Sequence, residues 1–150
     1  MRAVIQRVDR ASVEIKGEIK SKINGGLLIL LGIENEDSHE DVQWLTNKIS
    51  NLRIFNDDDG VMNHSIIDIN GDTIIVSQFT LHAKTKKGNR PSYIKAAHPD
   101  KAIPLYKDFI DEMEKLLGKE VGTGEFGSMM NIELINSGPV TIIIDTKNKE

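Results

Sequence analysis

The stretch ASVEIKGEIKSKINGGLLILLGI, Ala11 to Ile33, decides the fold. Ala11, Val13 and Ile15 alternate with polar residues, the period of a strand with one buried face. Gly17, flanked by Lys16 and Glu18, marks a turn, so Ala11–Ile15 and Glu18–Ile23 are expected to pair as a hairpin. Gly25-Gly26 then opens Leu27 to Ile33, an apolar run broken only by Gly32. Such a run suits a strand covered on both faces.

Working outward, Met1 to Val8 reads as a strand with Val4 and Val8 on one face. Downstream, Ser38 begins a helix. Asp41 stands three residues on, a capping-box arrangement, and Glu40 adds charge to the first turn. Val42, Leu45, Ile49 and Leu52 follow at helical spacing, with Trp44 off the stripe. Arg53 to Phe55 reads as a short strand and Asn56 to Gly60 as a polar turn. Ile66 to Ile69 is strand-like, Asn70-Gly71 is a two-residue hairpin signal, and Asp72 to Phe79 is its return strand. Thr80 to Ser92 reads as a basic loop.

His98 to Leu117 carries a second helix with the stripe Tyr106, Phe109, Ile110, Met113, Leu116 and Leu117, stopped by Gly118. Pro104 belongs to its first turns or marks its true start. Met130, Ile132 and Leu134 alternate again. Gly138-Pro139 interrupts, and Val140 to Ile144 forms a last strand before a fraying end at Lys147 to Glu150. Many strands with two helices, outside strict βαβ alternation, make an α+β fold with a largely antiparallel or mixed sheet.

The chain has 150 residues, a net charge of −4 and no cysteine. That length predicts one domain over residues 1–150 and allows roughly 70% of the unfolded surface to be buried. The lack of cysteine removes a thiol nucleophile, thiolate zinc sites and thiol redox chemistry. Met1 leads into a charged strand rather than an apolar leader, and the longest aliphatic run, Leu27 to Leu31, is far below a membrane span. A soluble cytoplasmic protein is expected. The charge is polarised. From His82 to Lys101 there are six cations, Lys84, Lys86, Lys87, Arg90, Lys95 and Lys101, against Asp100 alone, a local +5. A patch of that kind attracts a phosphate backbone while the whole chain stays acidic.

The ordinary enzyme signatures are absent or out of context. Gly122, Gly124 and Gly127 fit a G-x-G-x-x-G string, but a helix precedes it and a strand follows, so it reads as a glycine-rich turn. His39, His64, His82 and His98 show no helical pairing of a metal site, and Asp57-Asp58-Asp59-Gly60 lacks the spacing of a calcium loop. No metal is expected. Ser77-Gln78-Phe79-Thr80-Leu81 stands where a buried strand ends. Ser77 or Thr80 as nucleophile with His82 as base is one reading, although no acid is placed to orient the histidine. Hydroxyls bonded to backbone are a second. Backbone N–H groups forming an oxyanion hole are a third. In Asn136-Ser137-Gly138-Pro139-Val140-Thr141 the Gly-Pro pair is a turn or a cis peptide. Cis occurs in only about 5–6% of X–Pro bonds, and sequence alone does not choose it.

Together these two segments resemble the pair of signature motifs of the D-aminoacyl-tRNA deacylase family. Met1 to Val8 resembles the family's opening strand, Gly88-Asn89-Arg90-Pro91-Ser92-Tyr93 its basic loop, and Thr123-Gly124-Glu125-Phe126-Gly127 its late turn. The match spans nearly the whole chain in the right order. Tyr93, Ser128 and Ser137 depart from the residues the family often carries there, Phe, Ala and Asp. All three flank the signature positions and bear on substrate preference rather than on the assignment.

The resemblance implies a barrel-like, mixed and largely antiparallel sheet with two main helices. It implies a homodimer with active sites at the subunit interface. The reaction it implies is hydrolysis of the ester linking a D-amino acid, or glycine, to the tRNA 3′ end, without cofactor. Gly138 and Pro139 would be a Gly-cisPro motif that enters the partner's site, holds the substrate's α-amino group and clashes with an L side chain. Arg7 would hold that motif's orientation. Ser77, Gln78, Phe79 and Thr80 would form the catalytic wall. In it the N–H groups of Ser77 and Phe79 make the oxyanion hole, Gln78 lies beside the terminal adenosine and Thr80 near the ester. The ribose 2′-OH would help activate water. Lys84, Lys86, Lys87 and Arg90 would meet tRNA phosphates. Two readings from other classes compete with it: a non-catalytic RNA-binding module, and a serine or threonine hydrolase of small esters working through an acyl-enzyme.

Overall fold

A computed structural model describes residues 1–150. Strand β1 runs unbroken from Arg2 to Ile15, joining the two segments that the sequence pattern separated. It turns at Gly17 into β2 (Glu18–Ile23), the expected hairpin, and β3 (Gly26–Gly32) follows. β1 pairs antiparallel with β3 over its first half and with β2 over its second. The last strand, numbered β8 (Asn131–Asp145), pairs antiparallel along nearly all of β1. Gly138-Pro139 therefore does not end a strand, as expected, but bulges out of one. Val8 faces Asn136 and Gln6 faces Thr141, so Ser137 to Val140 stand opposite Arg7 alone.

The expected buried face of β1 also needs correction. Ala3 and Ile5 are buried, whereas Val4 is only half-buried. Val8, Ala11 and Val13 are buried against a different set of residues. Two register shifts against β8, at Gln6/Val8 and Val8/Arg10, change which side faces inward. A bulge does this because side-chain direction has a period of two. One core joins Ala3, Ile5, Leu27, Ile29 and Leu31 to the helices, and a smaller one holds Val8, Val13, Leu28, Ile74 and Val76. β3 feeds both, which explains its unbroken apolar run.

Helix α1 (His39–Ser50) starts at Ser38 as expected, and Asp41 accepts the Ser38 N–H at 2.9 Å. Burial pushes the Asp41 carboxyl up, but bonds from Thr146, Lys147 and the Ser38 N–H outweigh it and hold the group well below the usual carboxylate range. The short strands β4 (Phe55–Asn56) and β5 (Met62–His64) pair with each other. Ile66 to Ile69, expected as a strand, is a helix-like turn. Ile69 N–H bonds to Ser65 O at 3.3 Å, Gly71 N–H to Ile66 O at 3.1 Å, and the Asp68 carboxylate caps Ser65 N–H at 2.7 Å. Only Ile66 is buried, and it anchors the turn to the core.

Asn70-Gly71 is accordingly no hairpin. β6 (Asp72–Ser77) runs parallel to β3 instead, and it stops two residues before the expected end at Phe79. A 3₁₀ turn, Phe79–His82, follows where a strand end and loop were expected. Helix α2 (Pro99–Leu117) ends in left-handed Gly118 as expected. Pro104 lies inside it rather than at its start. Pro104 and Asp100, whose carbonyl loses its partner, are both exposed, so water can replace the missing bond.

β7 (Gly122–Thr123) adds to β6 in parallel. Ser21 on β2 then closes the sheet. Its hydroxyl donates to Thr123 O at 2.6 Å and accepts Thr123 N–H at 3.0 Å. The result is a mixed, nearly closed barrel-like sheet with two helices packed on one side. The buried Met1 ammonium bonds to Asp37 and to Thr146 Oγ1 at 2.8 Å, tying the start of β1 to the end of β8. No helix is long and apolar enough to cross a membrane.

Candidate active site

The C-terminal end of β6 carries the first motif. Gln78 N–H donates to Leu31 O at 2.8 Å, the last bond of the parallel ladder with β3. Neighbouring N–H groups on a strand point to opposite sides. Ser77 N–H is therefore turned toward β7, which pairs only with Ile74 and Ile75 and has already ended. In the 3₁₀ turn, Leu81 N–H bonds to Gln78 O at 3.2 Å and Ala83 N–H to Thr80 O at 3.1 Å. The leading N–H groups of such a turn, at Phe79 and Thr80, have no acceptor within it. Ser77, Phe79 and Thr80 are thus left with backbone N–H groups that neither the ladder nor the turn engages.

The side chains are arranged as firmly. Gln78 Nε2 donates to Thr80 Oγ1 at 2.6 Å, so the Thr80 hydroxyl hydrogen is left to donate elsewhere. Phe79 is half out in solvent and meets Tyr93 edge-on at 5.0 Å between centroids. Ser77, Gln78 and Phe79 line a pocket of about 390 Å³ with Leu31, Val76, Ala102 and the turn Phe126 to Met130. That size and apolar lining suit one small side chain or base. Tyr106 supports the pocket from α2. Its hydroxyl donates to Ile75 O at 2.8 Å and its ring lies 6.0 Å from that of Phe126. Burial pushes the Tyr106 hydroxyl up to about 12.

The nucleophile–base reading finds no such geometry. His82 is buried with its Nε2 unpartnered and makes no hydrogen bond to Ser77 or Thr80. Its ring packs on Gly32, where a Cβ would approach His82 Cδ2 to 3.0 Å. No group of three His, Cys, Asp or Glu side chains is gathered as a metal would need.

The second motif lies elsewhere. The Gly138-Pro139 peptide is cis, and Gly138 has φ +123. Arg7, directly across the bulge, donates from Nε to Ser137 O at 3.0 Å and from Nη1 to Ile54 O at 2.7 Å. Asn136 spans the bulge, accepting Val140 N–H at 2.9 Å and donating to Thr141 Oγ1 at 2.8 Å. Arg7 pairs with Leu27 while Ser77 pairs with Leu31, so four residues of β3 separate the two motifs. At about 3.3 Å per residue that is about 13 Å along the sheet. Within one chain they do not meet.

Lys84, Lys86, Lys87 and Arg90 are all exposed on a loop that leaves the 3₁₀ turn, closed by Lys84 N–H to Ser92 O at 2.8 Å and Ser92 N–H to Lys84 O at 3.0 Å. Four contributors had no sequence signal. Ala97, just before α2, and Ala102, in its first turn, reach the pocket only through tertiary packing. Arg2 and Asp145 pair at 2.7 Å beside the 3₁₀ turn. Burial pushes the Asp145 carboxyl up, but Arg2 and the Lys147 N–H outweigh it and hold it below the usual range.

A family model described as D-Tyr-tRNA(Tyr) deacylase matches residues 4–145. The D-aminoacyl-tRNA deacylase of Parabacteroides distasonis is 63% identical over 100% of both chains. That of Bacteroides thetaiotaomicron is 60% identical over the same span. A solved structure of the c-Myc DNA Unwinding Element Binding Protein superposes with a TM-score of 0.92 at 38% identity, covering 97% of this chain and 99% of that one. With the motifs in place on this fold and end-to-end identity of this order, the chain belongs to the D-Tyr-tRNA(Tyr) deacylase family and is an enzyme of the deacylase class.

Proposed function

We propose that the protein hydrolyses the ester joining a D-amino acid, or glycine, to the 3′ end of tRNA, working as a homodimer. The observation that carries this reading is the pair of free backbone donors, Ser77 and Phe79, at the mouth of an apolar pocket in a chain of this family. The ester carbonyl oxygen becomes an oxyanion between those two N–H groups as water attacks. One such donor is worth about 10²–10³ in kcat. Thr80, its oxygen engaged by Gln78, points its hydrogen at the ester, and Gln78 flanks the terminal adenosine. The neighbouring ribose 2′-OH assists the attacking water. An activated ester needs little more than orientation and charge stabilisation.

The Gly138-Pro139 bulge of one copy completes the wall of the other, a role supported by the two motifs' separation within a single chain. Its carbonyl oxygens hold the substrate ammonium, an L side chain collides with it, and glycine passes for want of one. Arg7 holds the bulge through Ser137 O. Lys84, Lys86, Lys87 and Arg90 meet the phosphates. The substrate is a cytoplasmic RNA, and we assign the enzyme to that compartment.

The test compares release of amino acid from D-tyrosyl-tRNA and L-tyrosyl-tRNA at low enzyme. Rapid cleavage of D with L spared is expected. Equal cleavage of both would refute the role of Gly138-Pro139. Salt-sensitive tRNA binding with cleavage of neither would leave a binding module. An acyl-enzyme trapped on Ser77 or Thr80 would replace the backbone mechanism with a covalent one.

A further inference from the structure

Arg2 lies five residues before Arg7 on β1. Its guanidinium is held from one side by Asp145, with Nε to Oδ2 at 3.0 Å and Nη2 to Oδ2 at 2.7 Å. From the other side Nη1 donates to the carbonyl of Leu81 at 2.7 Å. That carbonyl needs a partner. Continuing the 3₁₀ turn would supply Lys84 N–H, but Lys84 N–H goes to Ser92 O instead. Arg2 takes its place. Asp145 is itself fixed, since it accepts Lys147 N–H at 2.9 Å and pairs with Arg2 across the β1–β8 ladder.

The turn is short, closed by two backbone bonds, from the Leu81 N–H and the Ala83 N–H. Phe79 is 54% exposed, with its ring edge-on to Tyr93, whereas His82 at the far end is buried. A guanidinium bridging a carboxylate to a carbonyl is a rigid, planar link. β1 thus sends one arginine to the carbonyl beside each motif: Arg7 to Ser137 and Arg2 to Leu81.

We propose that Arg2, braced by Asp145, is a positioning residue for the deacylation: it fixes the Phe79–His82 turn so that the Phe79 N–H stays aimed at the ester oxygen. This rests on the reading of Ser77 to Thr80 as the catalytic wall. Arg2 touches no substrate and acts through the turn. Its loss lowers the rate of the bound complex and leaves affinity for tRNA alone.

The experiment uses the full chain with Arg2→Met, Arg2→Lys and Asp145→Asn. It reads kcat and KM on D-tyrosyl-tRNA well below each variant's melting temperature, and the ¹⁹F resonance of 4-fluorophenylalanine at position 79. Arg2→Met is expected to lower kcat at least tenfold with KM within twofold, and to broaden or split the resonance. Arg2→Lys recovers part of the rate, because an ammonium cannot serve both partners in one plane. Asp145→Asn, which keeps an acceptor oxygen, loses less. If Arg2→Met fails to fold, the other two variants carry the same comparison. A folded Arg2→Met with kcat within threefold of wild type would overturn the proposal. So would a loss of rate with an unchanged resonance, which is the mark of a merely structural role. Phe79→Pro separates the two readings, since proline suits the first position of a helical turn while removing its N–H. If Phe79→Pro is inactive and Arg2→Met is not, this proposal alone falls. If Phe79→Pro is fully active, the catalytic wall itself is wrong, and the proposal falls with it.

Discussion

Replacing Gly138 by alanine tests how the bulge is built, independently of any assumption about substrate. Gly138 has φ +123, a backbone region that L residues rarely adopt. Holding alanine there costs about 1–3 kcal/mol. The added methyl would also lie 2.7 Å from Arg7 Nη2, 3.0 Å from Val140 Cγ2 and 3.3 Å from the Val140 nitrogen. Backbone and strand neighbours cannot yield much, so Arg7 must move. Its guanidinium is fixed by bonds to Ser137 O and Ile54 O, and displacement breaks at least one. A bond from a charged donor is worth about 1.5–3 kcal/mol. The two effects sum to about 3 kcal/mol or more. For a chain of this size that lowers Tm by about 6–12 °C, read by scanning calorimetry. The cost should shrink by at least about 1 kcal/mol in an Arg7→Met background, where the clashing group is gone. In the deacylation assay, the role proposed for the bulge predicts that cleavage of D-tyrosyl-tRNA falls more than cleavage of the L ester, since the carbonyls proposed to hold the ammonium are displaced. A Gly138→Ala protein melting within about 2 °C of wild type, or an equal cost with and without Arg7, would refute this account.

Gly26→Ala should prevent native folding, seen as loss of the cooperative melt, because the new Cβ would stand 1.8 Å from Asp72 O where β3 and β6 pair; a soluble variant with a normal melt would contradict that register. Tyr106, with its hydroxyl pushed up to about 12, should ionise late in a titration followed by absorbance at 295 nm. The sign follows from linkage: the neutral form is favoured in the folded state, so its contribution is complete below the unfolded value near 10 and is lost as pH rises toward 12. Tyr106→Phe should remove that alkaline component of the stability profile and cost about 1 kcal/mol at neutral pH, read by urea unfolding; an unchanged alkaline profile would count against it.

The sequence was most informative where structure is set locally. The Gly17 hairpin, the Ser38–Asp41 cap, the α2 stripe with its Gly118 stop and the doubly covered β3 all follow from spacing within a few residues. The two motifs were also legible, because their residue types in that order resemble one family. Chain partners were not. Ile66 to Ile69 has the composition of a strand, yet β6 is already flanked by β3 and β7, so the segment folds back on Ser65 and Asp68 instead. Asn70-Gly71 signals a hairpin, but the close approach at Gly26 recruits β6 to β3 in parallel. Val4 lost its expected place to Ala3 and Ile5 because bulges opposite β8 reset the faces of β1. The sequence by itself determined which segments bury a face and which residues carry the motifs, since periodicity and turn chemistry are local properties. Tertiary structure alone decided which strands pair, in which register, and which backbone carbonyls Arg2 and Arg7 grip, because those depend on contacts between residues up to 145 positions apart.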